Sequence, residues 1–197
     1  MSLPTRTEAK ELLEKYVEDD YQRFHALMVG TAVEGYAHKL GEDPELWFLT
    51  GYLHDLDYEQ HPAEHPGPSL EWFKEWDYPA ELSQAVLAHA NGFNGFTTPA
   101  ESPLDKALIA CDEICGIFYA YQKLNPVPFG EMKAKSIKKR LKEERFAPGI
   151  DRSHIMNGVD DFGISINEHV DNLIEFFKGL ESPVLLSRSD SARLCHR

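Results

Sequence analysis

Basic side chains are scarce in this chain: 20 Lys and Arg stand against 33 Asp and Glu, a formal charge of −13 on 197 residues. A surface that grips a nucleic-acid backbone or an anionic membrane over a broad area needs the opposite balance, which argues against extended nucleic acid and membrane as partners. A small anionic substrate is still compatible. Long hydrophobic runs are missing as well. The most apolar stretch, Leu104 to Tyr121, is broken by Asp105, Lys106, Asp112 and Glu113, so it cannot cross a bilayer cheaply. The opening Met1-Ser2-Leu3-Pro4 has neither the basic start nor the apolar segment of a secretory leader, and the expected compartment is the cytoplasm. Three cysteines fit that expectation: Cys111 and Cys115 lie four apart in an apolar helical pattern, and Cys195 lies in a polar stretch, so no disulfide framework is expected.

Strand-like alternation bounded by hairpin turns is also absent, whereas apolar residues recur at helical spacing nearly throughout. The expected fold is all-α: one multi-helix bundle over residues 1–181, its core about 16–121 and its C-terminal helices 130–181, followed by a flexible tail from 182 to 197. A first helix is expected from Thr7 to Asp20. A second carries Tyr21, Phe24, Met28, Ala32, Val33 and Tyr36 on one side and stops near Gly41, and Asp43-Pro44 opens a third through Leu53. Pro62, Pro66, Pro68 and Gly67 make the segment after Gln60 a loop or turn. Short helices follow from Ser69 to Trp76 and from Pro79 to His89. Ser102-Pro103 starts a long helix to Leu124, a lysine-rich helix runs to Phe146, a short one follows Asp151, and Ser165 with Glu168 suggests a capping box for the last.

The chemistry lies in the histidines. His25 falls on the apolar stripe of the second helix, His89 continues the stripe of Leu82, Ala85 and Val86, and Asp112 sits among Leu108, Cys115 and Tyr119. A single core histidine is commonly just hydrogen-bonded, but a buried carboxylate is costly unless it is paired or binds a cation. His54-Asp55 closes the third helix, and His61 and His65 follow in the proline-rich loop. His25, His54, Asp55, His65, His89 and Asp112 thus offer four imidazoles and two carboxylates, a donor set suited to manganese, iron, cobalt, nickel or zinc. Six donors exceed what one open catalytic ion uses, which favours two divalent ions bridged by a carboxylate.

This ordered set, a helical His, an adjacent His-Asp pair and a distant helical Asp, resembles the HD superfamily of metal-dependent phosphohydrolases. His25 precedes His54 by twenty-nine positions, the pair lies in Leu53-His54-Asp55-Leu56-Asp57-Tyr58, and Asp112 lies in Ile109-Ala110-Cys111-Asp112-Glu113. The resemblance covers about Tyr16 to Tyr121 and implies that His25, His54, Asp55 and Asp112 hold a first ion, with Asp55 bridging to a second held by His65 and His89. The pattern departs from the cyclic-dinucleotide phosphodiesterases of the superfamily: their Gly-Tyr-Pro signature is missing, and Ala90 follows His89. With Asp57-Tyr58-Glu59 and Lys138-Lys139 it is most similar to a bacterial subgroup of HD hydrolases.

The implied activity is hydrolysis of a small phosphoester, a nucleotide among the candidates, by a metal-bound water. A di-iron oxygenase of the same fold and a catalytically silent metal or nucleotide sensor are the alternatives. Asp55 and Glu113 are the candidate catalytic carboxylates, Glu113 either accepting a hydrogen bond from the water or orienting a ligand histidine. His61 stands as general acid, as an alternative ligand to His65, or as a loop cap. Seven basic residues lie between Lys133 and Arg145, and eleven acidic residues between Glu42 and Glu81 are offset only by Lys74. A solvated helix face explains such a run. The functional alternative is that Lys135, Lys138, Lys139, Lys142 and Arg152 include the groups that meet a substrate phosphate. Tyr58, Phe93 and Phe96 are candidates to stack on a base. His38, His154, His169 and His196 have no partner constellation and are expected at the surface or at helix ends.

Overall fold

The computed structural model describes residues 2–186 and, among them, contains helices and turns but no strand. The helices are α1 (Arg6–Tyr16), α2 (Asp20–Leu40), α3 (Pro44–Leu53), α4 (Gly67–Glu75), α5 (Ala80–His89), α6 (Pro103–Leu124), α7 (Ala134–Leu141), α8 (Arg152–Phe162) and α9 (Ile166–Phe176). Short 3-10 turns lie at Phe129–Glu131 and Phe177–Gly179. No helix among the described residues is long and apolar enough to cross a membrane.

The signals that start and stop these helices are local. Asp19 caps α2 through the Gln22 N–H, and Gly41, with φ of 77°, ends it in the left-handed conformation that suits glycine. Asp43 caps α3 with Pro44 at its first turn, and Ser102 and Asp105 form a reciprocal capping box for α6. The same device, Thr5 with Glu8, opens α1. In α9 the Ser165 hydroxyl accepts the Glu168 N–H, the forward half of the expected box.

Three boundaries differ from expectation. Helix α4 opens at Gly67, two residues before Ser69, because Pro68 falls in its first turn, where a missing N–H costs nothing. The first helix stops at Tyr16, because the chain turns extended at Val17 and Glu59 Oε2 accepts the N–H groups of Glu18 and Asp19 at 2.8 and 3.1 Å. Asp19 is then free to cap the next helix. The lysine-rich helix stops at Leu141, five residues before Phe146, because Arg152 gathers the carbonyls of Glu143, Phe146, Ala147 and Ile150 and curls this stretch into turns. Of the tail expected from Ser182, residues 182–186 are described, with Ser182 buried and its hydroxyl accepting the Val184 N–H. Cys195, His196 and the rest of 187–197 lie outside the described residues.

Two apolar clusters build the core. One joins α2 and α6 to the C-terminal helices through Met28, Val33, Leu108, Phe118, Phe129, Val170 and Phe177. The other joins α1 and α3 to α4 and α5 through Leu13, Leu49, Leu53, Phe73 and Leu82. Helix α3 packs so closely on α2 that a Cβ on Gly51 would stand 2.9 Å from the backbone of Gly30. That close approach brings His54, three residues beyond Gly51, and His25, on the neighbouring helix, to the same end of the bundle. Cys111 and Cys115 are buried free thiols of α6, whose pKa values burial raises.

Candidate metal centre

Four elements meet at one end of the bundle, and each contributes a donor. His25 comes from α2, His54 and Asp55 from the end of α3, His89 from the last turn of α5 and Asp112 from the middle of α6; His65 comes from the turns before α4. The structure brings His25, His54, Asp55 and Asp112 into one group and Asp55, His65 and His89 into another, the donor atoms of each group lying within 4.8 Å of one another.

Asp55 belongs to both groups through different oxygens. Its Oδ2 lies 3.3 Å from His54 Nε2 and 3.9 Å from His25 Nε2, while its Oδ1 lies 3.3 Å from His65 Nε2 and 3.7 Å from His89 Nε2. Asp112 Oδ1 completes the first group, 2.9 Å from His25 Nε2 and 3.4 Å from His54 Nε2.

The outer nitrogens decide what the inner ones can do. His54 Nδ1 donates to the Gly51 carbonyl at 2.7 Å, and His89 Nδ1 donates to the Val86 carbonyl. His65 Nδ1 donates to Asp57 Oδ1 at 2.7 Å, and Asp57 is itself fully buried and accepts the Ser69 N–H. With the proton fixed on Nδ1, each of these rings turns an Nε2 lone pair inward. His65 Nε2 and His89 Nε2 then face each other at 3.1 Å with no proton to share, and buried His54 Nε2 has no hydrogen-bond partner. Lone pairs and carboxylate oxygens converging at this distance repel unless a cation lies among them. The donor set therefore fits divalent metal.

The field of the site points the same way. Burial opposes ionisation of Asp55 and Asp112, yet the neighbouring histidines outweigh it and hold both carboxyls below their ordinary pKa. Burial likewise opposes a charge on His54, but Asp55 and Asp112 raise its pKa well above that of a free imidazole. A dication would meet the same negative potential.

A cavity of about 660 Å³ opens onto the two groups. His25, Asp55, His65, His89 and Asp112 form its floor; Tyr21, Tyr58, Phe93 and Ile150 line its walls, together with Glu113, Asp151 and His154. Glu113 takes the backbone N–H of Asp151, and its pKa is pushed up to about 7, chiefly by burial and then by the charges of Asp112 and Asp151.

A family model described as HD domain matches residues 24–117. This chain contains an HD domain. No match was found among curated proteins or among solved structures. The HD domain holds all six candidate ligands, and its family consists mostly of metal-dependent hydrolases. The cavity wall formed by Gly149 to Asp151 and His154 lies beyond the matched residues, so the C-terminal part of the chain completes the pocket of its HD domain.

Several expected site residues stand elsewhere. His61 does not line the cavity; it lies 3.7 Å from Glu64 and edge-on to Trp72, while His65, four residues further along the turn, stands against Asp57. None of Lys135, Lys138, Lys139 and Lys142 lines the cavity. Lys139 pairs with Glu143, and Lys142 borders a separate depression with Arg140, Arg145 and Phe146. Arg152 binds backbone carbonyls rather than facing the pocket, and so fixes the Gly149-Ile150-Asp151 wall. Of the aromatics, Tyr58 and Phe93 line the cavity and Phe96 does not. Glu59, part of the Asp57-Tyr58-Glu59 run, accepts the N–H groups of the α1–α2 turn.

Other residues emerge only in three dimensions. His154, expected at the surface or at a helix end, stands in the first turn of α8 and lines the cavity. His169 is fully buried: its Nε2 donates to the Ala110 carbonyl at 2.8 Å, and the Tyr36 hydroxyl lies 2.6 Å from its Nδ1. The available sequence signal was its position on the apolar stripe with Val170 and Leu173. Tyr21 was visible in the sequence only as a stripe residue, although it stands four positions, about one helical turn, before His25.

Proposed function

We propose that this protein is a phosphohydrolase that cleaves a small phosphoester, nucleotides included, at a centre of two divalent ions. The first ion is held by His25, His54, Asp55 and Asp112, and the second by Asp55, His65 and His89. The observation that supports this reading most strongly is the division of the Asp55 carboxylate, Oδ2 toward one set of imidazoles and Oδ1 toward the other.

When bound, the ions supply Lewis acidity, lowering the pKa of water and offsetting charge on the phosphoryl oxygens. The residues do the rest. Asp55 fixes the spacing of the two halves, and the carbonyls of Gly51 and Val86 with the carboxylate of Asp57 hold three imidazoles in the orientation that ligation needs. Water forms the new bond to phosphorus, the ester P–O bond breaks, and the departing alcohol takes up a proton. Glu113, on the cavity wall beside Asp112, is the carboxylate available to accept the proton of the attacking water.

The reading is tested with protein supplied with manganese or iron and a panel of phosphoesters. Phosphate release from at least one member, lost on chelation and reduced at least about a hundredfold by Asp55→Ala, is the expected result. Oxygen consumption with loss of substrate and no phosphate release would replace hydrolysis by oxygenation.

A further inference from the structure

The cavity is divided by charge. Its floor is the metal-binding set, but among the described residues no Lys or Arg lines any part of it. The side walls instead carry Glu113 and Asp151, the neutral polar groups Gln22 and Asn91, and His154. Tyr21 and Phe93 are 37% and 51% exposed, respectively, and offer apolar ring surface at the cavity. Of the basic residues beyond α6, Arg140 and Lys139 pair with Glu143, Arg152 binds four backbone carbonyls, and Lys135, Lys138 and Lys142 do not line the cavity.

Two dications at the floor exceed the charge of Asp55 and Asp112, and a phosphoryl group seated there supplies the further negative charge that the ions neutralise directly. A second phosphate, or a carboxylate, on the leaving side would lie along a wall that carries acids and no counter-charge. We infer that the substrate is a phosphomonoester whose leaving alcohol carries no negative charge and packs an uncharged or cationic face against Tyr21 and Phe93. Nucleoside monophosphates and phosphorylated amino alcohols belong to that class. Nucleoside di- and triphosphates and phosphorylated hydroxy acids do not. Aromatic faces beside carboxylates also favour a cationic leaving group over a neutral one.

The inference rests on the hydrolase reading, and matched substrate pairs separate the two. The manganese-loaded full-length protein is assayed for kcat/KM on glycerol 3-phosphate against 3-phosphoglycerate, on phosphoethanolamine, and on one nucleoside as its mono-, di- and triphosphate. The anionic members are expected to fall below their neutral or cationic counterparts by about a hundredfold. Calorimetry of the same protein should show inorganic phosphate binding more tightly than pyrophosphate. Asp151→Asn, which retains a side chain able to cap α8, should reduce the discrimination between glycerol 3-phosphate and 3-phosphoglycerate about tenfold. Turnover of 3-phosphoglycerate or the triphosphate within about tenfold of its partner, or tighter pyrophosphate binding, overturns the inference and leaves the hydrolase reading standing. No phosphate release from any member overturns both.

Discussion

Asp57 and His169 show how much of a histidine's role is set by the atom behind it. Asp57 is buried with one oxygen on His65 Nδ1 and the other on the Ser69 N–H, so it orients His65 without touching the proposed ion. Asp57→Asn should weaken the second ion about 10- to 100-fold while the first is retained, read by calorimetric titration with manganese. Equal weakening of both ions, or no change, contradicts that role. His169 is neutral for a different reason: burial lowers its pKa to about 4, against the Ala110 carbonyl, which favours the protonated ring. Its folded pKa lies below the ordinary 6.5, so as pH falls the unfolded chain takes up the proton first. The stabilisation is complete above pH 6.5 and is lost as pH falls toward 4, by about 3 kcal/mol in all. Urea unfolding across this range should show that loss, and the His169→Asn variant should show a flatter profile. Neither role can be read from spacing alone, because Asp57 is in sequence only an acid two positions after the His-Asp pair, and His169 reads as a surface or helix-end residue until their partners are brought together.

The helices carry the site by close approach at a few small residues. A Cβ on Gly158 of α8 would stand 3.2 Å from the backbone N and Cα of Ala110 in α6, two residues before Asp112. Helix α8 begins at the cavity wall with Asp151 as its cap and His154 in its first turn. Gly158→Ala should therefore push α8 away from α6 and destabilise the protein by about 1–3 kcal/mol, the usual cost of overpacking, measured by urea denaturation. It should also raise KM more than it lowers kcat, because the wall moves and the proposed metal ligands do not. At this scale the sequence was informative wherever a local signal was sufficient. Asp43-Pro44 and Ser102-Pro103 mark helix starts by their own chemistry, and His25, His89 and Asp112 declare themselves by lying on apolar stripes. It was uninformative where a distant side chain ends an element. The stop at Tyr16 depends on Glu59, and the stop at Leu141 depends on Arg152.

For the whole molecule, the charge of −13 takes on a structure. Part of it is concentrated where Asp55 and Asp112 face four imidazoles, and the proposed divalent ions would reverse its local sign. The basic residues of α7 read in sequence as a solvated face or a landing place for phosphate; none of them lines the cavity, one side of which comes instead from residues beyond the HD domain match. The convergence of the six residues was legible because they fall on elements whose order alone brings them together; the cavity wall from Gly149 to His154 was not, because it depends on how the turns after α7 fold back on α6. The division of the Asp55 carboxylate links these levels, since one residue at the end of α3 joins both halves of the centre. Its most direct test is metal content of full-length protein purified without chelator and then supplied with manganese or iron, alongside Asp55→Ala. The account predicts about two ions per chain in the unaltered protein and loss of both from the variant. An unaltered protein that binds no ion, or an Asp55→Ala variant that keeps two, would contradict it.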